Sequence, residues 1–267
     1  MNENKIKISA VSYLNTLPFL YGINHSKILQ NYIFELDIPS VCAQKLIENR
    51  VDIALIPTAA IPFVKTPIFI SNYCLGAYKQ VKSVLLLSDV ALEKIESIYL
   101  DYQSRTSVNL VQILAAKHWK IKPEWINAHQ GFENDIAGNK AGVIIGDRTF
   151  SINKEYKFAY DLSMEWYIFT GLPFVFAAWV ANKQIIPDFI NRFNQSLQYG
   201  IDNIDMVVND YYSKFPNSKI DLKDYWTNNI SYILDNEKKK SMKLFYKYMV
   251  ELNLLPLDLM KPLEVGF

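Results

Sequence analysis

The sequence lacks an excess of charge of either sign, and it lacks any long uninterrupted hydrophobic run. It has 28 lysine and arginine residues against 27 aspartate and glutamate residues, for a net charge of +1 over 267 residues. Proteins whose main partner is a nucleic acid usually present a basic face, and this balance argues against that class. No window approaches the ~18 consecutive apolar residues of a membrane-spanning helix. We therefore expect no nucleic-acid partner and no insertion into a membrane.

Cysteine and histidine are also scarce. Cys42 and Cys74 have no spacing typical of a metal site or a redox pair, and burial as small apolar side chains is the simplest interpretation of both. His25, His118 and His129 are scattered, and no group of potential ligands has metal spacing. Glycine-rich phosphate loops and the GxSxG and HExxH motifs are absent too. We expect neither a metal nor a cofactor.

The amino terminus does not have the pattern of a secretory signal peptide. Lys5 and Lys7 interrupt the first apolar stretch, and polar residues follow directly after Val11. Together with the few cysteines, this pattern favours a reduced, cytoplasmic location. Half of the residues are hydrophobic, which is enough for a sizeable core.

Short apolar strands alternate with helical segments along the chain. The pattern predicts strands at 5–12, 33–39, 51–57, 68–77, 83–88, 97–101, 141–147 and 170–182. It predicts helices at 17–23, 40–50 with Ser40 as N-cap, 107–119, 187–212, 221–234 and 236–255. Such alternation is typical of an α/β fold with a largely parallel sheet, in which ligands bind beyond the carboxyl ends of the strands.

The first strand-to-helix turn, in "VSYLNTLPF", is a candidate binding site. Asn15 offers a donor and an acceptor, Thr16 is a candidate helix cap, and Pro18 suits a first helical turn. The alternative for Asn15 is that its side chain satisfies nearby backbone groups.

The segment "LDYQSRTSVNL" is a second candidate. Ser104, Thr106 and Ser107 surround the predicted start of a helix, and Arg105 adds a positive charge. Free N–H groups and the positive end of the helix dipole favour a carboxylate or phosphate there. Ordinary capping by Ser104 or Thr106 is an equally weighted alternative. Asp147 and Asp161 are each interpreted first as turn residues. These residues indicate a two-lobed anion binder, and they do not define a reaction.

Several segments together resemble the menaquinone-biosynthesis family of the futalosine route, in particular its chorismate dehydratase branch. The segments are SYLNTLPF, VDIALIP, SVLLLS, LDYQSRTSVNL, VIIGD, YDLSMEW and TGLPFVFAAW, and the resemblance runs from about residue 5 to residue 182. The sequence departs from the family where "NRVD" replaces GEVD and where "YKQVKSV" replaces a Gly-Pro-Val segment before Ser83.

The resemblance implies a two-lobed α/β fold similar to type II periplasmic binding proteins, with the ligand in a cleft between the lobes. Lobe one would comprise residues 1–88 and 176–267, and lobe two residues 89–175. The chain would cross between them near "LLSDV" and "GLPFVFA". The implied reaction removes water from chorismate and gives 3-[(1-carboxyvinyl)oxy]benzoate.

The resemblance also implies roles for particular residues. Asn15 and Ser83 would be catalytic. Substrate would be bound by Tyr13, Thr58, Ser104, Arg105, Thr106, Ser107 and Asp147, between apolar walls formed by Leu14, Pro57 and Phe174. The base that removes the C3 proton would be Asp147 or Asp161 with a raised pKa, or the enolpyruvyl carboxylate of the substrate itself. We favour the substrate carboxylate.

Other functions are compatible with the same resemblance. One alternative is a non-catalytic binder of a small cyclic carboxylate. Another is the sister enzyme of the pathway, which forms a dihydroxynaphthoate. A sensory domain would normally be fused to an output module, and the chain has little room for one. The aromatic-rich composition is compatible with a homodimer.

Overall fold

Two mixed β-sheets organise the chain in a computed structural model, which describes residues 5–152 and 154–260. The first sheet contains β1 (Ile6–Val11), β2 (Tyr32–Asp37), β3 (Ile53–Pro57), β4 (Ile68–Ala77), β10 (Phe174–Ala181) and β11 (Ser231–Ile233). The second contains β5 (Val84–Ser88), β6 (Ser97–Leu100), β7 (Glu124–Asn127), β8 (Lys140–Ile145) and β9 (Phe158–Asp161). The strand orders are β11-β4-β10-β3-β1-β2 and β7-β6-β8-β5-β9. Each sheet with its helices forms one lobe of a two-lobed α/β fold.

The sheets are mixed, so the prediction of a largely parallel sheet is wrong. β1 runs parallel to β2 and β3, and β6 runs parallel to β7 and β8. The other pairings between described strands are antiparallel, and each of them involves β5, β10 or β11. β5 and β10 are the first strands that the chain forms after crossing between sheets. Each of them runs antiparallel to both neighbouring strands, and hydrophobic periodicity alone does not predict the direction of a strand.

The chain crosses between the sheets at two short connections. One, residues 78–83, joins β4 to β5, and the other, residues 171–173, leads into β10. The first crossing therefore precedes the "LLSDV" segment, and residues 84–88, which the predicted boundary assigned to lobe one, pair within the second sheet. The full lobe ranges remain a prediction. Their terminal stretches, residues 1–4 and 261–267, lie outside the described residues.

Helices cover both sheets. They are α1 (Leu17–His25), α2 (Pro39–Ile47), α3 (Thr106–Ile113), α4 (Leu162–Thr170), α5 (Pro187–Asp202), α6 (Ile204–Lys214), α7 (Leu222–Asp224) and α8 (Asn236–Glu251). Two segments have wider π-helical turns: Leu114–Trp119, which extends α3, and Tyr225–Asn229, which follows α7. Within the described part of the chain, no helix has both the length and the apolar character that crossing a bilayer requires.

Some predicted elements differ from the structure. The helix predicted at 221–234 is wrong beyond its π-helical turn, because Ser231–Ile233 forms an edge strand. Ser40 does not cap α2, which begins at Pro39 and has Ile38 at its N-cap. The strands β7 and β9 and the helix α4 were not predicted, since these short or uniformly apolar segments have no clear period.

A shared core joins the lobes around α4. Trp166 on this helix is fully buried. Its ring lies 5.3 Å from Phe174 on β10 and 6.2 Å from Phe245 on α8, in edge-on arrangements. Its indole N–H donates to the Ser241 hydroxyl at 2.9 Å, so the buried donor is satisfied. The carboxyl-terminal helix thus packs against an element of the second lobe.

Glycine is required where α1 crosses α5. A Cβ atom on Gly200 would lie 1.7 Å from the backbone oxygen of Pro18, and one on Gly22 would lie 1.9 Å from the backbone oxygen of Ser196. The two helix backbones are therefore in direct contact. Since α1 begins immediately after the turn that carries Asn15, this contact fixes the position of that turn on the first sheet.

We predict that Gly200→Ala destabilises the protein, because the added methyl group would separate α1 from α5. We expect a loss of about 2–3 kcal/mol in the free energy of unfolding, measured by urea denaturation. Gln195→Ala, on the exposed side of the same helix, is the matched control and should change stability by less than about 0.5 kcal/mol. Equal stability of the two variants would contradict the backbone contact.

Candidate functional site

A cavity lies between the two sheets, beside the first crossing. It encloses about 540 Å³ of space between atoms, part of it open to solvent. Its polar lining consists of Tyr13, Asn15, Ser83, Ser104, Thr106 and Ser107. Its apolar lining consists of Val11, Pro39, Pro57, Leu75, Val81, Val84, Ile145, Gly146, Phe176, Ala177 and Ile230. Both lobes and the crossing therefore contribute to one partly open cavity with a mixed polar and apolar lining, the character of a small-molecule site.

Most of the residues that the sequence pointed to surround this cavity, and some do not. Thr58, Arg105 and Asp147 do not line it, and neither do Leu14 and Phe174 among the expected apolar walls. Thr58 is fully buried, and its hydroxyl donates to the backbone oxygen of Val175 at 2.7 Å, which is a structural role. Phe174 packs in the core next to Trp166, and Phe176 forms the aromatic wall instead.

Asn15 lies in a single 3₁₀ turn between β1 and α1. Its side-chain oxygen accepts a hydrogen bond from the Thr16 hydroxyl at 3.2 Å, so that hydroxyl does not cap α1. The turn itself is held from the carboxyl-terminal part of the chain. The indole of Trp226 donates to the backbone oxygen of Leu14 at 2.9 Å, and the Tyr232 hydroxyl donates to the backbone oxygen of Asn15 at 3.1 Å. Among the described residues, no backbone group is bonded to the Asn15 side chain, so the structure does not support the alternative that this side chain satisfies nearby backbone.

Ser83 ends the crossing between β4 and β5, and the Asp161 carboxylate holds this crossing in place. One carboxylate oxygen accepts from the backbone N–H groups of Val81 at 2.9 Å and Lys82 at 2.7 Å. The other accepts from Ser163 and Met164, both at 3.1 Å, at the start of α4. Lys82 has a left-handed backbone with φ of 62°, which these bonds stabilise.

Asp161 is therefore a helix cap and a clamp on the crossing. Burial is the main influence on its carboxyl group and raises its pKa, while the bonds from Lys82, Met164, Val81 and Ser163 partly oppose this effect. It does not line the cavity. The structure does not support the hypothesis that Asp161 removes a proton from a ligand.

The predicted anion-binding segment divides into residues with different tasks. The Ser104 hydroxyl accepts from the backbone N–H of Ser107 at 2.9 Å. This is the ordinary capping bond that was the alternative to anion binding for Ser104. The Thr106 hydroxyl accepts from Ala59 N–H at 3.2 Å and donates to the backbone oxygen of Phe176 at 3.0 Å, so it bridges the lobes. Ser107 lines the cavity, and its hydroxyl makes no hydrogen bond to another described residue.

Contacts between the lobes close the rim of the cavity. The Asp147 carboxylate, at the end of β8, accepts from the backbone N–H of Leu14 at 2.9 Å and 3.2 Å. The Tyr13 hydroxyl donates to Gln103, and its ring covers Gly146 so closely that a Cβ there would lie 2.7 Å from it. Gly146 also has φ of 67°, a conformation that favours glycine. The structure is thus in a closed arrangement.

The cavity lining carries no charged side chain. Among the residues that the structure describes around it, none is Asp, Glu, His, Lys or Arg. Burial raises the pKa of Tyr13, so its phenol stays protonated at neutral pH. Burial also raises the pKa of Asp147 to about 6, but its carboxylate faces Leu14 outside the lining. The lining therefore offers hydrogen-bond donors and no proton acceptor that is strong at neutral pH.

The sequence did not reveal that side chains of the carboxyl-terminal segment hold the site in place. Tyr225 is 2% exposed, and its hydroxyl donates to Ser83 Oγ at 2.7 Å. Together with Trp226 and Tyr232, it supports both site-bearing turns. The only available signal was the density of aromatic residues in "DYWTNNISY", which a buried helix would explain equally well. Over residues 5–152 and 154–260, no three potential ligands gather as a metal site would require.

Comparison with solved structures supports the periplasmic-binding-protein-like architecture. A structural-genomics target from Archaeoglobus fulgidus superposes with a TM-score of 0.72 at 13% identity, covering 96% of this chain and 100% of the other. A conserved Candida albicans gene product with the generic periplasmic-binding-protein fold gives a TM-score of 0.61 at 14% identity, with coverages of 98% and 95%. The periplasmic aliphatic sulphonate-binding protein of Escherichia coli gives 0.60 at 11% identity, with coverages of 96% and 89%. At these identities the likeness concerns the fold alone.

The sequence itself matches a protein family over nearly its whole length. The family is described as Menaquinone biosynthesis, and its sequence model matches residues 6–251. The match includes both lobes, the cavity and the supporting segment that contains Tyr225.

We predict that Asp147→Asn changes how stability depends on pH. The folded-state pKa of about 6 lies above the ordinary value of 3.8, so the folded protein binds the extra proton more tightly than the unfolded chain. The wild type should therefore lose stability relative to the variant as the pH rises from about 4 to about 7. Because the side chain is partly exposed, we expect a change of about 1–2 kcal/mol between these limits.

The measurement is urea unfolding of both proteins at several pH values in that window. Asp258→Asn, at an exposed position, is the matched control and should leave stability nearly unchanged throughout. If the free energies of unfolding of wild type and Asp147→Asn differed by the same amount at every pH in the window, burial would not raise the pKa of Asp147.

Proposed function

This chain belongs to the menaquinone biosynthesis family, and we propose that it is the chorismate dehydratase of the futalosine route. The reaction would convert chorismate to 3-[(1-carboxyvinyl)oxy]benzoate and water. The observation that carries the proposal is the character of the cavity, which is rich in hydroxyl and amide donors and has no charged lining side chain among the described residues.

The chemistry of chorismate fits such a lining. Its C3–H bond is acidified by conjugation, through C1=C2, with the ring carboxylate. Removal of that proton gives an extended enolate whose charge spreads onto the carboxylate oxygens. Loss of the C4 hydroxyl then makes the ring aromatic, which supplies the driving force. The protein must bind the carboxylates, stabilise the developing charge and hold the reacting groups, tasks for which neutral donors suffice.

The lack of a lining base favours a substrate-assisted step. In our proposal the enolpyruvyl carboxylate takes the C3 proton, and the C3–H electron pair enters the ring. The C4–O bond then breaks as C3=C4 forms, and the carboxylic acid passes its proton to the departing oxygen as water. The carboxylate is regenerated, so atoms and charges balance. Asp147, the other candidate base, is engaged with Leu14 and stands outside the lining.

The polar residues of the cavity receive separate roles. The Ser107 hydroxyl, at the start of α3, has no hydrogen-bond partner among the described residues, and we assign it to a substrate carboxylate. Asn15 and Ser83 are assigned to the reacting region, where they donate to oxygens that gain charge. Thr106 and Ser104 are engaged in bonds that shape the site, so they act mainly by positioning.

We predict that the purified protein, treated with EDTA, converts chorismate to a product lighter by one water without any added cofactor. Chromatography with mass detection measures this directly. Chorismate that binds and survives would indicate a non-catalytic binder. Release of a dihydroxynaphthoate from cyclic dehypoxanthine futalosine would indicate the sister enzyme. Failure to bind chorismate at all would reject the proposal.

Substitutions should separate binding from chemistry. Because Ser83 and Asn15 would donate to charge that develops in the transition state, we expect Ser83→Ala and Asn15→Ala to lower kcat by about 10²–10³-fold. Ser107→Ala should mainly raise KM, by about tenfold, because it removes one hydrogen bond to a carboxylate. The exposed Ser213→Ala is the control for a serine hydroxyl lost elsewhere. A large loss of kcat in Ser107→Ala with unchanged KM would contradict these roles.

A further inference from the structure

We propose that Tyr225 is a positioning residue that sets the direction in which the Ser83 hydroxyl donates its proton. Its kinetic test rests on the proposed function, whereas the contact that motivates it does not. Tyr225 belongs to the π-helical turn after α7, far in sequence from the polar groups that line the cavity. It does not line the cavity itself.

The geometry fixes Tyr225 firmly. Its ring is packed edge-on against Phe150, with centroids 5.0 Å apart and planes at 76°. Its hydroxyl lies 2.7 Å from Ser83 Oγ, and both side chains are almost completely buried. A hydrogen bond of this ordinary length between two buried hydroxyls leaves little freedom to either group.

Counting protons gives the direction of each bond. A phenol has a single proton, and Ser83 Oγ is the one acceptor that the structure gives the Tyr225 hydroxyl within the described chain. Since burial raises the pKa of Tyr225, that proton stays on its oxygen at neutral pH. The Ser83 proton must therefore point away from Tyr225. Ser83 lines the cavity, and no bond from its own hydroxyl to a described protein group is present.

Ser83 is thus presented to a ligand as a donor rather than as an acceptor. A hydroxyl that already accepts one hydrogen bond is a stronger donor of the next, because the bonds polarise one another. This arrangement suits a ligand oxygen that gains negative charge. In the proposed reaction, such an oxygen is the C4 hydroxyl as it leaves or the carboxylate of the enolate.

The same tyrosine also reaches Asn15. The side chains of Ser83 and Asn15 both lower the pKa of Tyr225, against the larger effect of burial, which raises it. Tyr225 therefore connects the residues assigned to the reacting region, one on lobe one and one at the crossing.

The kinetic test is Tyr225→Phe, which keeps the ring and removes only the hydroxyl. We expect kcat for chorismate to fall about tenfold, with KM within about twofold, because the ordering of Ser83 matters most in the transition state. In a Ser83→Ala background the same change should have almost no further effect. Tyr73→Phe, which removes another nearly buried hydroxyl that donates to Gln198, is the matched control and should leave kcat unchanged.

A second test does not depend on turnover. In Ser83→Cys, the Tyr225 hydroxyl would donate to the thiolate and lower the thiol pKa, which thiolate absorbance reports. Adding Tyr225→Phe should raise that pKa by about 1. The native thiols do not interfere, because burial raises the pKa of both Cys42 and Cys74 to about 12.

These tests distinguish the two proposals. If the wild type does not convert chorismate, the proposed function fails, and the thiol pKa alone decides the role of Tyr225. An unchanged thiol pKa would overturn that role. Equal losses of kcat from Tyr225→Phe with and without Ser83 would also overturn it, since independent residues show additive losses.

Discussion

The site depends on one carboxylate that never touches the cavity. Asp161 accepts four backbone N–H groups, two from the crossing between the lobes and two from the first turn of α4. The crossing is irregular backbone with a left-handed residue, and its buried N–H groups need partners that no regular element can supply. By capping a helix and clamping the crossing at once, this side chain fixes where β5 begins. The position of Ser83 follows from that start.

The cavity combines enclosure with a neutral lining. Burying a carboxylate without a counter-charge is unfavourable unless hydrogen bonds replace its hydration. Here the replacement groups are held in advance by bonds to the rest of the chain, so they do not need to reorganise when a ligand arrives. The bonds come from separate parts of the sequence. Trp226 and Tyr232 hold the Asn15 turn, and Ser104 and Thr106 fix the start of α3.

The sequence could predict the parts of the site that lie within single strand-to-helix turns. The positions of Asn15 and the Ser104–Ser107 segment follow from polar residues placed where apolar strands end. It could not predict the supporting segment, because Tyr225 meets Ser83 across 142 positions and Trp226 meets Leu14 across 212. It also misjudged Thr58 and Phe174, whose types suit a cavity wall and a core equally well. The direction of β5 and β10 depends on the crossings between the sheets. These crossings produce no hydrophobic periodicity from which the sequence could predict that direction.

The polar groups of the cavity are divided between the lobes, and the rim is already joined by Leu14 with Asp147 and Tyr13 with Gln103. Opening the cleft further requires these rim contacts to break together. A ligand too large for the opening that remains therefore has a residence time with a lower limit set by the protein, whatever the ligand's own contacts are. In the proposed reaction, a flat aromatic product of that size would wait for the lobes to separate even if it fits the lining poorly. The frequency of that separation sets a ceiling on turnover that changes inside the cavity cannot raise.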